Sequence, residues 1–86
     1  MMTRSEIQEW IDGEEHARST KRAYQGAYRA FSFAWSDGLT FALNHNEDEI
    51  LEELKEASKG DLDNSLYDAG YYKALKLVIN GENNEE

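Results

Sequence analysis

The sequence predicts an all-α fold, a compact bundle of three to four helices, and three observations carry that prediction. Proline is absent, so no helix interior loses an amide donor or meets a ring clash. Alanine, leucine, glutamate and lysine are common and strand signals are thin, a balance that favours helix throughout. The longest apolar stripe recurs at i, i+3, i+4 and i+7 over more than four turns, the period of an amphipathic helix.

The first helix is expected over about residues 4–12. Thr3-Arg4-Ser5-Glu6 matches a capping box ahead of the apolar set Ile7, Trp10 and Ile11. Gly13 offers a left-handed stop, so a break or bend is expected between Gly13 and Thr20. The second helix, about 20–44, carries the stripe Tyr24, Ala27, Tyr28, Phe31, Ala34, Trp35, Gly38, Leu39 and Ala42. Because the stripe keeps phase through Gly38, the helix is read as continuous there and Gly38 as a close-packing position. Arg18, Arg22, Gln25 and Arg29 fall on its other side, with Phe33 beyond them.

Asn46 caps a third helix, about 47–59, whose first turn Glu47-Asp48-Glu49 suits the positive end of the helix dipole. Its apolar edge is Ile50, Leu51, Leu54 and Ala57, with Gly60 as the left-handed residue after its end. The fourth helix, about 64–80, follows a connector of N-cap residues and stops at Asn80-Gly81. Residues 1–81 form one helical domain, and Glu82-Asn83-Asn84-Glu85-Glu86 a disordered acidic tail. The expected core is Trp10, Tyr28, Phe31, Trp35, Leu39, Leu54, Tyr71, Leu75 and Val78.

One segment occurs twice in similar form. Gly26-Ala27-Tyr28-Arg29-Ala30-Phe31-Ser32-Phe33-Ala34-Trp35 parallels Gly70-Tyr71-Tyr72-Lys73-Ala74-Leu75-Lys76-Leu77-Val78-Ile79. Both copies pair a helical apolar stripe with one large apolar residue behind it, Phe33 or Leu77. They read as two central helices of one core. Tyr67-Asp68-Ala69-Gly70-Tyr71-Tyr72-Lys73-Ala74-Leu75 resembles a helix style of small bacteriophage and mobile-element accessory proteins. That resemblance implies a short accessory protein acting on a host component, and it carries over no functional residue.

Charge narrows the function. The 86 residues hold 18 acids against 9 bases, net −9, and the excess is uneven. Residues 1–46 carry six acids and five bases, whereas residues 47–86 carry twelve acids and four bases. Such a surface repels phosphate and excludes direct nucleic-acid binding, whereas a basic protein is attracted. No apolar stretch is long enough to span a bilayer, and no signal segment opens the chain, so a cytoplasmic protein without a membrane partner is expected. The chain has no cysteine, and His16 and His45 lie far apart in sequence. No metal, cofactor or catalytic constellation is therefore expected, and the protein is read as no enzyme. Asp61-x-Asp63-x-Ser65 begins like a calcium loop but has Leu66 where the sharp turn needs glycine.

The leading expectation is a small acidic binding module, a phage-encoded inhibitor that imitates DNA and occupies the basic, nucleic-acid-binding site of a host protein. Its contact residues are Glu49, Glu52, Glu53 and Glu56, extended by Asp61 and Asp63. The alternative is a self-assembling structural protein, a homodimer or larger oligomer joined through a second apolar helix face at Phe33, Leu66 and Leu77.

Overall fold

A computed structural model describes residues 1–20 and 26–81. Four α-helices make up the described fold: α1 (Arg4–Thr20), α2 (Ala27–Leu43), α3 (Glu47–Ala57) and α4 (Leu66–Asn80). The expectations for Lys21, Arg22, Tyr24 and Gln25, and for the acidic tail at 82–86, fall outside the described residues.

The reciprocal cap at the start of α1 is present. Thr3 N–H donates to Glu6 Oε1 at 2.9 Å, and Glu6 N–H donates to Thr3 Oγ1 at 3.2 Å. The expected break after Gly13 is absent, because α1 continues to Thr20. Glycine in a helix interior costs about 1 kcal/mol relative to alanine, and bonds made further along offset it. The Arg18 guanidinium donates to the Ser32 carbonyl (3.1 Å), Ser32 Oγ (3.0 Å) and Ser36 Oγ (2.8 Å) on α2. Ser32 Oγ in turn donates to Glu14 Oε2 at 2.6 Å. Ser32 and Ser36 are both buried, so their hydroxyls need partners and the second half of α1 supplies them. At the other end, Arg4 donates to the Leu43 carbonyl at the C-terminus of α2. The two helices therefore run antiparallel.

The contact between α2 and α4 is the most extensive in the fold, and small residues set its distance. A Cβ on Gly70 would lie 2.7 Å from the Phe31 carbonyl oxygen and 3.2 Å from Ala34 Cβ. One on Gly38 would lie 2.8 Å from Ala74 Cβ and 3.0 Å from the Tyr71 carbonyl oxygen. Gly38 is thus a close-packing position inside a continuous helix, as its phase in the stripe predicts. The doubled segment, by contrast, uses its glycines differently. Gly26 caps α2 with φ +62°, a conformation that favours glycine, while Gly70 sits inside α4 against the backbone of α2.

The core is aliphatic: Met2, Ile7, Ile11, Leu39, Ala42, Ile50, Ala74, Leu75 and Val78. Leu39, Leu75 and Val78 are fully buried as expected, and Phe31, Trp35, Leu54 and Tyr71 are half-buried. Trp10 and Tyr28 correct the expected core, at 38% and 47% exposed. The contact of α2 with α4 through glycine and alanine leaves no room between them for the Tyr28 ring, and Trp10, on α1, meets the Trp35 ring at 6.3 Å without being enclosed. Met2 joins the core because its N–H donates to the Val78 carbonyl at 2.9 Å, tying the chain ahead of α1 to α4.

Three further termini depart from expectation. Helix α2 begins at Ala27 rather than at about residue 20, because Thr20 belongs to α1 and Gly26, at φ +62°, stands outside helical backbone. Helix α3 ends at Ala57, capped by Ser58, and Gly60 has no positive φ. Gly60 instead admits the Asp68 carboxylate, whose Oδ2 would lie 3.0 Å from an added Cβ. Helix α4 starts at Leu66, with Ser65 Oγ accepting from Asp68 N–H at 3.1 Å. Its stop at Gly81, φ +80°, is as expected. Among the described residues no helix is long and apolar enough to cross a membrane.

Candidate partner-binding surfaces

Helix α3 is positioned by its cap and by three apolar side chains. Asn46 Oδ1 accepts from Glu49 N–H at 2.9 Å, and Glu49 Oε1 accepts from Asn46 N–H at 3.0 Å. Ile50 is fully buried, and Leu54 and Ala57 are half-buried, so this edge faces the bundle. Helical geometry at 3.6 residues per turn then directs Asp48, Glu52 and Glu56 outward along one ridge, about 6 Å apart. All three are exposed. Among the described residues a single carboxylate–ammonium pair lies within 4 Å, Lys59 with Glu56 at 3.5 Å, and both side chains are largely in solvent. A pair of that kind contributes between 0 and about 1 kcal/mol.

The six expected contact residues separate into two groups. Glu52, Glu56 and Asp63 are directed into solvent. Glu49, Glu53 and Asp61 are held by structural bonds: Glu49 closes the α3 cap, and Glu53 Oε2 accepts from the Tyr71 hydroxyl at 2.8 Å. Asp61 Oδ1 accepts from Asn64 N–H at 3.2 Å, shaping the turn before α4. Asp48 belongs to the ridge and is missing from the expected set. Its spacing of four from Glu52 was the available signal.

Two tyrosines of α4 fasten this side of the molecule. Tyr67 and Tyr71 stack with centroids 6.4 Å apart. Tyr67 donates to Asp37 Oδ2 on α2 at 2.5 Å, and Tyr71 to Glu53 on α3. The hydrogen bond to Asp37, followed by burial and the charges of Asp37 and Asp68, pushes the Tyr67 phenol up to about 12. Burial first, then the bond to Glu53, raises Tyr71 well above the ordinary tyrosine value. Both phenols remain donors at neutral pH, which keeps Glu53 engaged in joining α3 to α4.

No family model, curated protein or solved structure matches this chain.

The residues expected to mediate self-association do not form one surface. Phe33 is 41% exposed, but the Arg18 and Arg29 guanidiniums lie over its ring, 4.3 and 5.0 Å from the centroid. Such cation–π contacts give the back of α2 a partner within the chain. Leu77 is half-buried and shares a shallow depression with Trp35, Lys73 and Lys76. Residues two positions apart on a helix point about 200° from one another, so Phe33 lies on the opposite side of α2 from Trp35 and from the Leu77 side chain beside Trp35. Leu66 is exposed at the first turn of α4.

The pattern overlooked in the sequence is a row of rings. Tyr28 stacks on Phe31 (5.8 Å), Phe31 on Trp35 (6.1 Å), and Trp35 meets Trp10 of α1 at 6.3 Å. On α2, Ser32 and Ser36 turn to α1 while Ala34 and Gly38 turn to α4. Phe31 and Trp35 fall between, so the rings floor a groove bounded by α1 and α4. Its α1 rim carries Glu9 and Glu14 beside Trp10, and its α4 rim carries Lys73 and Lys76 beside Leu77.

Proposed function

We propose that this chain is a small binding module, acting by occupancy rather than catalysis, that uses the carboxylates of α3 to fill a basic site on another protein. The observation that carries this reading is the ridge Asp48, Glu52 and Glu56, ordered by the Asn46 cap, with three exposed carboxylates against Lys59 at Glu56 and Lys55 beside Asp48 and Glu52. Asp63 extends the anionic surface, and Glu49, Glu53 and Asp61 add negative potential from positions fixed by their own hydrogen bonds. Carboxylates at regular spacing on a rigid helix present what a phosphate-binding groove recognises, and opposite charge raises the rate of encounter. A nucleic-acid enzyme of a host cell is the fitting partner class, and inhibition the fitting consequence.

Capture from a host lysate on the immobilised chain, followed by mass identification, tests this directly. The expected partner has a basic nucleic-acid site, is displaced by duplex DNA, and binds more weakly as salt rises. Combined reversal in Asp48→Lys, Glu52→Lys and Glu56→Lys should lower its affinity by about 100-fold. Affinity that survives that triple change, or that ignores salt, would refute the reading.

A further inference from the structure

Both tryptophans of the chain belong to the aromatic groove, on α1 and α2 rather than on α3, and this placement calls for an occupant. Along the same inter-helix space, the C-terminal half of α2 is filled: Leu39 and Ala42 join Ile7, Ile11, Leu75 and Val78 in one buried cluster. The N-terminal half is floored by Phe31 and Trp35 and flanked by Trp10, which remains 38% exposed. Contiguous rings left at a surface mark an interaction site, whereas single exposed apolar residues do not.

The charges on the two rims identify what fits. The α1 rim is acidic, with exposed Glu9 and, beside it, Glu14 bonded to Ser32, and the α4 rim is basic, with Lys73 and with Lys76, whose ammonium lies 5.7 Å from the centre of the Tyr72 ring. A two-fold axis running along α2 exchanges the rims, laying the acidic rim of each copy over the basic rim of the other while the aromatic floors meet at the axis. The groove is therefore complementary to itself. The net charge of −9 does not oppose this, because its excess lies on residues 47–86, and a Debye length of about 8 Å screens charges beyond the contact. We infer that the groove between α1 and α4 is the interface of a homodimer, with Trp10, Phe31, Trp35 and Leu77 at its centre and Glu9 facing Lys73 and Lys76 across it. The interface leaves the acid ridge outside, so each dimer presents two ridges.

The test is sedimentation velocity over a concentration series, with tryptophan emission recorded alongside. Mass should double and emission should move to the blue in parallel, since both indoles enter the interface. Lys73→Glu with Lys76→Glu, and separately Glu9→Lys, should each weaken the dimer by about tenfold or more. All three positions are exposed, so far-UV circular dichroism should be unchanged. An equimolar mixture of the two variants restores opposite charges at both rims, and the dimer should return. A single-chain mass at every concentration overturns the proposal, as does a dimer indifferent to both variants or a mixture no tighter than its components. Loss of the dimer in Phe33→Asp would move the interface to the other side of α2 and overturn it equally.

Discussion

One methyl group at Gly70 tests the crossing on which the fold depends. In Gly70→Ala the new Cβ would stand 2.7 Å from the Phe31 carbonyl oxygen, short of ordinary contact at 3.4 Å by about 0.7 Å. The obstructing atom is backbone, and the next nearest is Ala34 Cβ at 3.2 Å. Neither rotates away, so α4 has to withdraw from α2. Overpacking of this kind costs about 1–3 kcal/mol, against a helix-propensity gain of about 1 kcal/mol for alanine over glycine. The net loss should be between 0 and about 2 kcal/mol, a fall in Tm of up to about 15 °C for a domain of this size. Gly13→Ala is the control, because an added Cβ there meets nothing within 4 Å. That change should raise stability by about 0.5–1 kcal/mol. Urea unfolding followed by circular dichroism at 222 nm measures both, and the difference is meaningful only with matching m-values. If Gly70→Ala matched Gly13→Ala in sign, the close approach of α2 and α4 would be wrong.

Three further outcomes follow from particular contacts. Arg18→Ala should destabilise the fold by about 2 kcal/mol, because it removes the donor to buried Ser32 and Ser36 as well as the contact with Phe33; a loss under about 0.5 kcal/mol in urea titration would contradict the clamp. Asn46→Ala should cost about 1 kcal/mol by opening both hydrogen bonds of the α3 cap, and faster amide exchange at Glu49 should accompany it. The phenols predict alkaline behaviour. Tyr67 binds its proton more tightly when folded, up to about 12 against an ordinary 10.0, and Tyr71 is shifted in the same direction. The unfolded chain therefore releases these protons first, so this contribution is complete below pH 10 and declines as pH rises toward about 12. Urea midpoints measured from pH 8 to 11.5 should fall above pH 10, and Tyr71→Phe should flatten that fall.

Much of the architecture follows from local chemistry legible in the sequence. The absence of proline, the Thr3 and Asn46 caps, the phase of the α2 stripe and the stop at Gly81 each depend on residues within a turn or two, so all four helices could be located. The contact distances across Gly38 also match its place in that stripe. What the sequence could not settle depends on partners distant along the chain. Gly13 lies within α1 because Arg18 finds two buried serines on another helix. Tyr28 leaves the expected core because α2 and α4 meet through glycine and alanine, with no space between them for rings, and Trp10 because it packs against only the Trp35 ring's side of α2. Glu53 and Asp61 carry the same charge as Glu52, yet Tyr71 and Asn64 hold them in place. Composition and periodicity determine which helices form and that their surface is acidic. Only tertiary packing decides which carboxylates remain directed to solvent and which aromatic rings remain uncovered, because both depend on how closely two backbones approach.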